Sequence, residues 1–209
     1  MKQSEVRDVM AISPVIPVVV TPSAEVGVEI ARALLAGGVG VIEVTLRTAA
    51  GLDAIRAIRR EVPDICVGAG TVWTADDARK AADAGAAFMV SPGISDPVGD
   101  CCTALDLAYL PGAQTISEIA HHQRRGLDAV KLFPASIIGG PKAIKAYASV
   151  FPAMQFCPTG GVSIDNAVDY LALGCIPCVG GSWLVDQLAV TDGDWQAITR
   201  QAEAAVRLG

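Results

Sequence analysis

The sequence predicts an α/β fold, a single (β/α)8 TIM barrel domain that spans residues 1–209. Short apolar runs rich in β-branched residues alternate along the chain with Ala-rich helical stretches that carry the charges. The runs lack a strict polar alternation, which is typical of parallel strands covered on both faces. No linker rich in Pro, Gly or Ser divides the chain, and 209 residues approach the lower limit of about 200 for this barrel.

Eight strands are predicted, and a helix follows each of them. The strands are expected near 15–20, 39–44, 65–69, 87–90, 107–110, 128–132, 155–158 and 176–179. The helices are expected near 24–36, 49–61, 75–84, 97–105, 115–125, 139–151, 164–172 and 194–208, the fourth having the weakest pattern. Thr74-Ala-Asp-Asp77 and Thr115-Ile-Ser-Glu118 resemble capping boxes and support two helix starts. A doubly wound open sheet is the alternative arrangement.

An internal repeat favours the barrel. Four predicted helices end in a glycine that leads into an even-numbered strand, namely Gly38, Gly85, Gly126 and Gly174. Five residues after the first and third of these glycines stand Glu43 and Lys131. Because each interior layer of an eight-stranded barrel is built from alternate strands, we expect these two side chains to face each other across the barrel at a similar height.

Composition excludes several classes of protein. With 52% hydrophobic and 18% charged residues the chain is not intrinsically disordered. Its net charge of −6 argues against a nucleic-acid partner, which is bound through clustered Lys and Arg. No apolar run approaches the roughly 20 residues of a membrane span, and no basic amphipathic helix offers itself to a membrane surface. The first ten residues lack a secretory apolar stretch, so a cytoplasmic location is expected.

Lys131 is the most informative residue. Of the five lysines it alone lies within an apolar strand, Ala129-Val-Lys-Leu-Phe133. Burial disfavours the charged ammonium, and a desolvated amine can attack a carbonyl to form a Schiff base. The structural alternative is a lysine that reaches the barrel rim or forms an ion pair.

A carboxylate and a guanidinium accompany this lysine. Glu43 interrupts the apolar run 39–44, and a carboxylate at the end of a strand suits general acid–base catalysis. A structural ion pair with Arg47 or Lys131 explains it equally well. Arg47 follows in the loop, where its planar guanidinium can hold a substrate carboxylate or can simply be solvated.

Three glycine-rich turns follow predicted strands. Val67-Gly-Ala-Gly-Thr71 lacks the third glycine of a dinucleotide fingerprint, because position 73 is Trp73. Pro158-Thr-Gly-Gly161 and Gly180-Gly-Ser182 follow strands 7 and 8, where barrels often bind phosphate beside a short extra helix. We expect such a helix to begin at Ser182.

The cysteines and histidines predict no redox or metal site. The six cysteines are most simply reduced and buried, and Cys175-Ile-Pro-Cys178 enters a strand-like run rather than opening a helix. The only histidines, His121 and His122, are adjacent and are expected on a solvated helix face. We therefore expect no metal and no cofactor.

Six segments together resemble one known family. They are Ile42-Glu-Val-Thr-Leu-Arg-Thr48, Val67-Gly-Ala-Gly-Thr71, Ser91-Pro-Gly93, Val130-Lys-Leu-Phe-Pro-Ala135, Cys157-Pro-Thr-Gly-Gly-Val162 and Gly180-Gly-Ser-Trp-Leu184. In this order they resemble the 2-keto-3-deoxy-6-phosphogluconate aldolases, also called 4-hydroxy-2-oxoglutarate aldolases, from about residue 12 to 186. The segment 94–109 matches less obviously.

The resemblance implies a class I, metal-independent aldolase on a (β/α)8 barrel, usually a homotrimer, that acts on a small keto-acid phosphate. It implies that Lys131 forms the Schiff base and that Glu43 is the general acid–base. The other implied roles are carboxylate binding by Arg47 and Thr71, lining of that pocket by Pro92 and Phe133, contact with the substrate hydroxyls by Thr159, and phosphate binding by Gly160, Gly161 and Ser182. Gly181 is included with the phosphate loops because it lacks a Cβ.

Three other functions remain open from the sequence. A related aldolase would act on the galactonate-derived epimer, although the Thr-Leu-Arg-Thr run 45–48 and Thr159 favour the gluconate-derived substrate. A phosphate-binding barrel isomerase or epimerase would share the phosphate loops without needing Lys131. A non-catalytic sugar-phosphate sensor would need neither Lys131 nor Glu43.

Overall fold

A computed structural model describes residues 3–209, with side chains from Val6 onward. All pairings within its two sheets are parallel. The strands are β1 (Val15–Val19), β2 (Val41–Thr45), β3 (Cys66–Gly70), β4 (Phe88–Val90), β5 (Ala108–Leu110), β6 (Gly112–Ala113), β7 (Ala129–Leu132), β8 (Gln155–Pro158) and β9 (Val179–Gly181). One sheet has the order β5-β4-β3-β2-β1-β9 and the other β6-β7-β8. A doubly wound sheet reverses its strand order at β1 and places β3 or β4 beside that strand. Here β1 lies between β2 and β9, and β1 to β5 follow one another in chain order, so the strand order contradicts that alternative.

Two connections join the sheets. Strands β5 and β6 belong to one extended segment, in which Pro111 carries no N–H and separates the two pairings. The carbonyl oxygen of Pro111 nevertheless accepts a hydrogen bond of 2.8 Å from the amide of Lys131 on β7. At the other edge an isolated parallel bridge links Thr159, next to β8, with Gly180 of β9.

The helices surround these strands. They are α1 (Gln3–Ala11), α2 (Ala24–Ala36), α3 (Gly51–Glu61), α4 (Ala75–Asp83), α5 (Asp96–Ala104), α6 (Ile116–Arg124), α7 (Gly140–Val150), α8 (Ala167–Leu171), α9 (Gln187–Asp192) and α10 (Trp195–Val206). Both predicted capping boxes form, at Thr74–Asp77 and Thr115–Glu118. None of the helices in residues 3–209 combines the length and apolar character that a membrane span requires.

The backbone conformation explains three of the four glycines in the sequence repeat. Gly38, Gly85 and Gly126 have φ angles of 89°, 94° and 79°, which favour glycine. The amide of the residue after each glycine then donates a hydrogen bond to a carbonyl oxygen in the last turn of the helix. The Val39 amide, for example, donates to the Leu34 carbonyl oxygen at 3.0 Å. Gly174 does not have a positive φ, so the fourth repeat is similar in sequence but not in backbone conformation.

Several predicted details differ from the structure. The last strand begins at Val179 rather than at 176, and the short apolar segment before it contains Pro177, which cannot donate to a ladder. The helix expected at Ser182 begins at Gln187 and is capped by Asp186, while residues 182–185 form a turn. Strand β6 and helix α1 were not predicted.

The prediction that both histidines lie on a solvated helix face is wrong for His122. His122 is buried, and its Nε2 lies 3.0 Å from the carbonyl oxygen of Gly112. Burial lowers the pKa of His122, so the neutral ring donates to this carbonyl. Adjacent residues on a helix face different directions, and His121 instead contacts Asp96 at 2.8 Å.

We predict that Gly68→Ala destabilises the fold by about 1–3 kcal/mol, because overpacking a filled interior is unfavourable. A Cβ on Gly68 would overlap the ring of Phe88, which is fully buried. Urea denaturation should show a lower midpoint with an unchanged slope. The matched control is Gly174→Ala, where a Cβ meets nothing within 4 Å, and an equal loss in both variants would contradict the packing argument.

Candidate active site

A cavity of about 180 Å³ opens where the strands end. This volume is far above the 10–15 Å³ that one water needs, so a small organic acid can enter. Nine of the residues predicted for the site line it, namely Arg47, Thr71, Pro92, Lys131, Phe133, Thr159, Gly160, Gly161 and Ser182. Sequence reasoning missed Val18 and Val20, which line the same cavity. It gave no individual role to Val162 and Gly180, which also line the cavity, although both lie in segments that it singled out.

Lys131 and Glu43 form a buried ion pair beside this cavity. The lysine Nζ lies 3.0 and 3.1 Å from the two carboxylate oxygens of Glu43. Their side chains are only 6% and 4% exposed, so water screens the pair weakly. Lys131 lines the cavity. Glu43 contacts Lys131 from behind and does not line the cavity itself. The two side chains that were expected to face each other are therefore in contact in the structure.

The strand register explains how the pair fits. Glu43 lies opposite Gly68 of β3, and a Cβ on Gly70 would overlap the Glu43 carboxylate. Gly70 therefore leaves the volume that the glutamate side chain needs. Lys131 is in register with Gly112 on one side and Cys157 on the other. Its Nζ also lies 5.9 Å from the centre of the Phe133 ring, within the range of a cation–π contact.

Arg47 and Thr71 meet at the same opening. The Nε of Arg47 donates to the Thr71 hydroxyl at 3.1 Å, and the rest of the guanidinium is exposed. Thr71 has a φ of 60°, a conformation that is unfavourable for a β-branched residue. Such strain, typically about 1–3 kcal/mol, concentrates at binding sites. Thr48 ties the Arg47 loop to the segment after β1 by donating a hydrogen bond of 2.9 Å to the carbonyl oxygen of Thr21.

The opposite side of the cavity is rich in glycine. Gly160 and Gly161 have φ angles of 90° and 75°, so the backbone turns in a way that other residues rarely adopt. Gly180 leaves the space that the Thr159 side chain occupies. Ser182 is exposed at the end of β9, whereas the predicted Gly181 does not line the cavity and packs against Trp183.

The ionisable groups around the site are few. Burial raises the pKa of the Tyr109 phenol, and contact with Cys157 followed by burial raises the pKa of the Cys178 thiol. These groups stay neutral near pH 7 and do not line the cavity. Among the residues that do line it, Lys131 and Arg47 have ionisable side chains. Cys178 lies 3.8 Å from Cys157, and Cys175 and Cys178 of the C-x-x-C pattern are both free thiols. Within residues 3–209, no three His, Cys, Asp or Glu side chains come together as a metal site.

Known proteins with similar sequences share one activity in their names. The chain is 45% identical over 204 residues to the KHG/KDPG aldolase of Escherichia coli K12, covering 98% of this chain and 96% of that protein. It matches the solved 2-keto-3-deoxy-6-phosphogluconate aldolase of Zymomonas mobilis ZM4 with 3-phosphoglycerate at 42% identity and a TM-score of 0.93, over 99% and 97% of the two chains.

A third similar protein was captured with a covalent intermediate. The KDPG aldolase of Legionella pneumophila, solved with pyruvate as a covalent carbinolamine, is 39% identical with a TM-score of 0.92, over 95% of this chain and 96% of that one. The family model for KDPG and KHG aldolase matches residues 6–201. The chain therefore belongs to the KDPG and KHG aldolase family.

Proposed function

We propose that this chain is a class I aldolase that cleaves 2-keto-3-deoxy-6-phosphogluconate to pyruvate and glyceraldehyde 3-phosphate through a Schiff base on Lys131. The observation that carries the proposal is the buried contact of Lys131 with Glu43, 3.0 Å apart, at the wall of an open cavity. A nucleophile within hydrogen-bond reach of a base is the arrangement that amine catalysis needs. Family membership supports the same chemistry.

Imine formation begins with a proton transfer inside the ion pair. Glu43 takes one proton from the Lys131 ammonium, and the neutral Nζ attacks the C2 ketone of the substrate. The C2 oxygen accepts protons relayed by Glu43 and leaves as water, and the product is a protonated imine. Because one proton moves between two groups in contact, the pair has a net charge of zero before and after the transfer, and no new charge is buried.

The protonated imine then acts as the electron sink for cleavage. Glu43, which does not line the cavity itself, accepts the proton of the C4 hydroxyl through one bridging water, and C4 becomes the aldehyde carbon as the C3–C4 bond breaks. The bonding electrons move into a C2–C3 enamine and neutralise the imine nitrogen. Glu43 returns the proton to C3 by the same route and restores the iminium, and water releases pyruvate and free Lys131.

The pyruvyl end of the substrate is placed by the polar and apolar groups around Lys131. Arg47 binds the carboxylate with the guanidinium nitrogens that remain free when Nε contacts Thr71. The Thr71 hydroxyl adds a donor, and Pro92 and Phe133 exclude water from the imine.

The phosphate end lies against the glycine-rich loops. Gly160, Gly161 and the Ser182 hydroxyl contact the phosphate, whereas Gly181 does not line the cavity and serves the turn that places Ser182. Helix α9 begins too late and is too short to contribute, so the phosphate is held by loop groups. Thr159 stands between the two ends and faces the substrate hydroxyls.

A second substrate, 4-hydroxy-2-oxoglutarate, is part of the proposal. It presents the same 2-keto acid to Lys131 and Arg47 but has no phosphate. The dual name of the Escherichia coli relative favours this activity. Relatives at 39–45% identity are named for the gluconate-derived acid, which favours it over the galactonate-derived epimer. An isomerase is disfavoured because it would not need a buried amine.

The proposal extends to the architecture. We infer that the two sheets form one closed eight-stranded barrel, because the segment 108–113 pairs on both sides and the Thr159–Gly180 bridge joins the remaining edges. We also infer a single domain over residues 1–209 and, from the family resemblance, a homotrimer, which sedimentation should show as three times the mass of one chain. Six unpaired cysteines in the described residues fit a cytoplasmic enzyme.

Covalent trapping tests the proposed nucleophile. Borohydride should reduce the imine formed with pyruvate and leave one stable adduct on the Lys131 peptide, located by mass spectrometry. Lys142 and Lys145 are exposed lysines in the same chain and serve as internal controls. Label on either of them, or none at all, would contradict the Schiff-base assignment.

Replacing Glu43 by Gln tests the proton transfers. The amide keeps the shape of the carboxylate but cannot accept a proton, and general acid–base catalysis typically contributes about 10²–10⁴-fold. We expect kcat to fall by that order while the circular dichroism spectrum is retained. A rate close to that of the unmodified enzyme would leave Glu43 as a structural partner of Lys131.

Replacing Ser182 by Ala tests the phosphate subsite. Loss of a hydrogen bond to a charged group, about 1.5–3 kcal/mol, should lower kcat/KM for the phosphorylated substrate roughly 10- to 100-fold. Turnover of 4-hydroxy-2-oxoglutarate should stay within about twofold, because that substrate has no phosphate to bind. Ser149→Ala, on the exposed face of α7, is the matched control. Equal losses for both substrates would place the phosphate elsewhere.

A further inference from the structure

Behind the cavity wall lies a buried hydrogen-bond network that the proposed mechanism does not use. It consists of Ser91, Tyr109, Gly112 and His122, and we call it the Ser91 network. The three side chains are almost completely buried, with exposures of 0%, 2% and 2% for Ser91, Tyr109 and His122. Buried polar groups of this kind are stable only when they are fully satisfied.

The donors and acceptors of Ser91 can be assigned from elementary chemistry. The Gly93 carbonyl, 2.7 Å from Ser91 Oγ, can only accept, so it takes the single hydroxyl proton. The Gly112 amide at 3.3 Å can only donate to the serine oxygen. The Tyr109 hydroxyl at 2.7 Å must therefore donate as well. One donated and two accepted bonds use the full capacity of the serine hydroxyl.

These bonds fix the peptide segment that contains Pro92. Proline has no N–H, so this residue cannot anchor itself through its own amide. Ser91 supplies the anchor, because its hydroxyl closes the turn across Pro92 onto the Gly93 carbonyl. Pro92 lines the cavity together with Lys131.

Gly112 connects this turn to the strand of the nucleophile. Its amide bonds to Ser91, its carbonyl accepts from His122 at 3.0 Å, and it is in register with Lys131. A Cβ at Gly112 would overlap the backbone of Pro92. Gly112 therefore packs directly against the Pro92 backbone on one side and pairs with the Lys131 strand on the other. This close packing leaves no room for a side chain at position 112.

We propose that Ser91 is a positioning residue of the aldolase reaction, which, with Tyr109 and His122, holds Pro92 at a fixed place against the Lys131 imine. The inference rests on the proposed function, since the imine is the group whose surroundings Pro92 shapes. A wall fixed to a fraction of an ångström keeps the C3–C4 bond aligned with the iminium and excludes water from it. Displacement by about 1 Å at a site remote from the chemistry can reduce turnover by about 10²-fold.

The experiment compares Ser91→Ala and Tyr109→Phe with two controls. Tyr170→Phe removes the hydroxyl of another buried tyrosine that has no contact with the Ser91 network, and Ser149→Ala removes an exposed hydroxyl. Turnover is divided by the amount of Lys131 that borohydride traps with pyruvate, so that only correctly folded sites are counted. Thermal midpoints are measured in parallel.

We expect kcat per trappable Lys131 to fall roughly 10- to 100-fold in Ser91→Ala, with KM within about threefold because Arg47 and the phosphate loops are unchanged. Tyr109→Phe should lose roughly twofold to tenfold, the effect of one hydrogen bond. Both controls should stay within about twofold of the parent enzyme. His122→Leu should lower the same quantity, and His122→Gln, which keeps an N–H donor, should restore most of it.

A lower thermal midpoint with unchanged kcat per trappable Lys131 in Tyr109→Phe and His122→Leu would overturn the proposal and leave the Ser91 network as a structural element. These two variants decide the question if Ser91→Ala does not fold. Failure of the proposed function looks different, because the parent enzyme itself would then trap no pyruvate on Lys131.

Discussion

The buried contact between Lys131 and Glu43 is the constraint on which the rest of the site depends. Removing two charges from water is unfavourable by several kcal/mol for each ion, and only close, well-oriented pairing offsets it. The lysine Nζ meets both oxygens of the carboxylate at 3.0 and 3.1 Å. Loss of either partner would leave an uncompensated charge inside the protein, so β2 and β7 must keep their relative position across the interior.

The same pairing suits each stage of the proposed reaction. The resting ammonium and the later iminium are both cations at the same nitrogen, and the Glu43 carboxylate stands beside both. In the neutral stages the proton resides on the glutamate, and the pair again has no net charge. Gly70 on β3 is the local consequence, because the glutamate side chain occupies the volume that a side chain at position 70 would fill.

Features governed by local chain conformation could be predicted from the sequence, and features that depend on distant contacts could not. The helix ends at Gly38, Gly85 and Gly126 follow from a positive φ that few other residues tolerate. The spacing from Gly38 and Gly126 predicted that Glu43 and Lys131 lie at a similar height on their strands. In contrast, the positive φ of Thr71 and the burial of His122 depend on neighbours from other strands, and no local pattern marks them. A side chain at the end of β1, such as Val20, could have been found, since strand ends meet at one edge.

The two ends of the cavity differ in how firmly they are built. Lys131 lies on a strand, Pro92 is next to the Ser91 network, and Arg47 is tied through Thr71 and the Thr48 loop bond, so the end proposed to hold the pyruvyl group is built from buried or bonded groups. The end proposed to hold the phosphate is formed by loop residues, and both Gly161 and Ser182 are exposed. One end of the cavity is rigid and would recognise the 2-keto acid, and the other is open and would tolerate different continuations of the substrate's carbon chain. This difference favours one nucleophile acting on two substrates. The discrimination between those substrates then rests on the binding energy of the phosphate, while the chemistry at Lys131 stays the same for both.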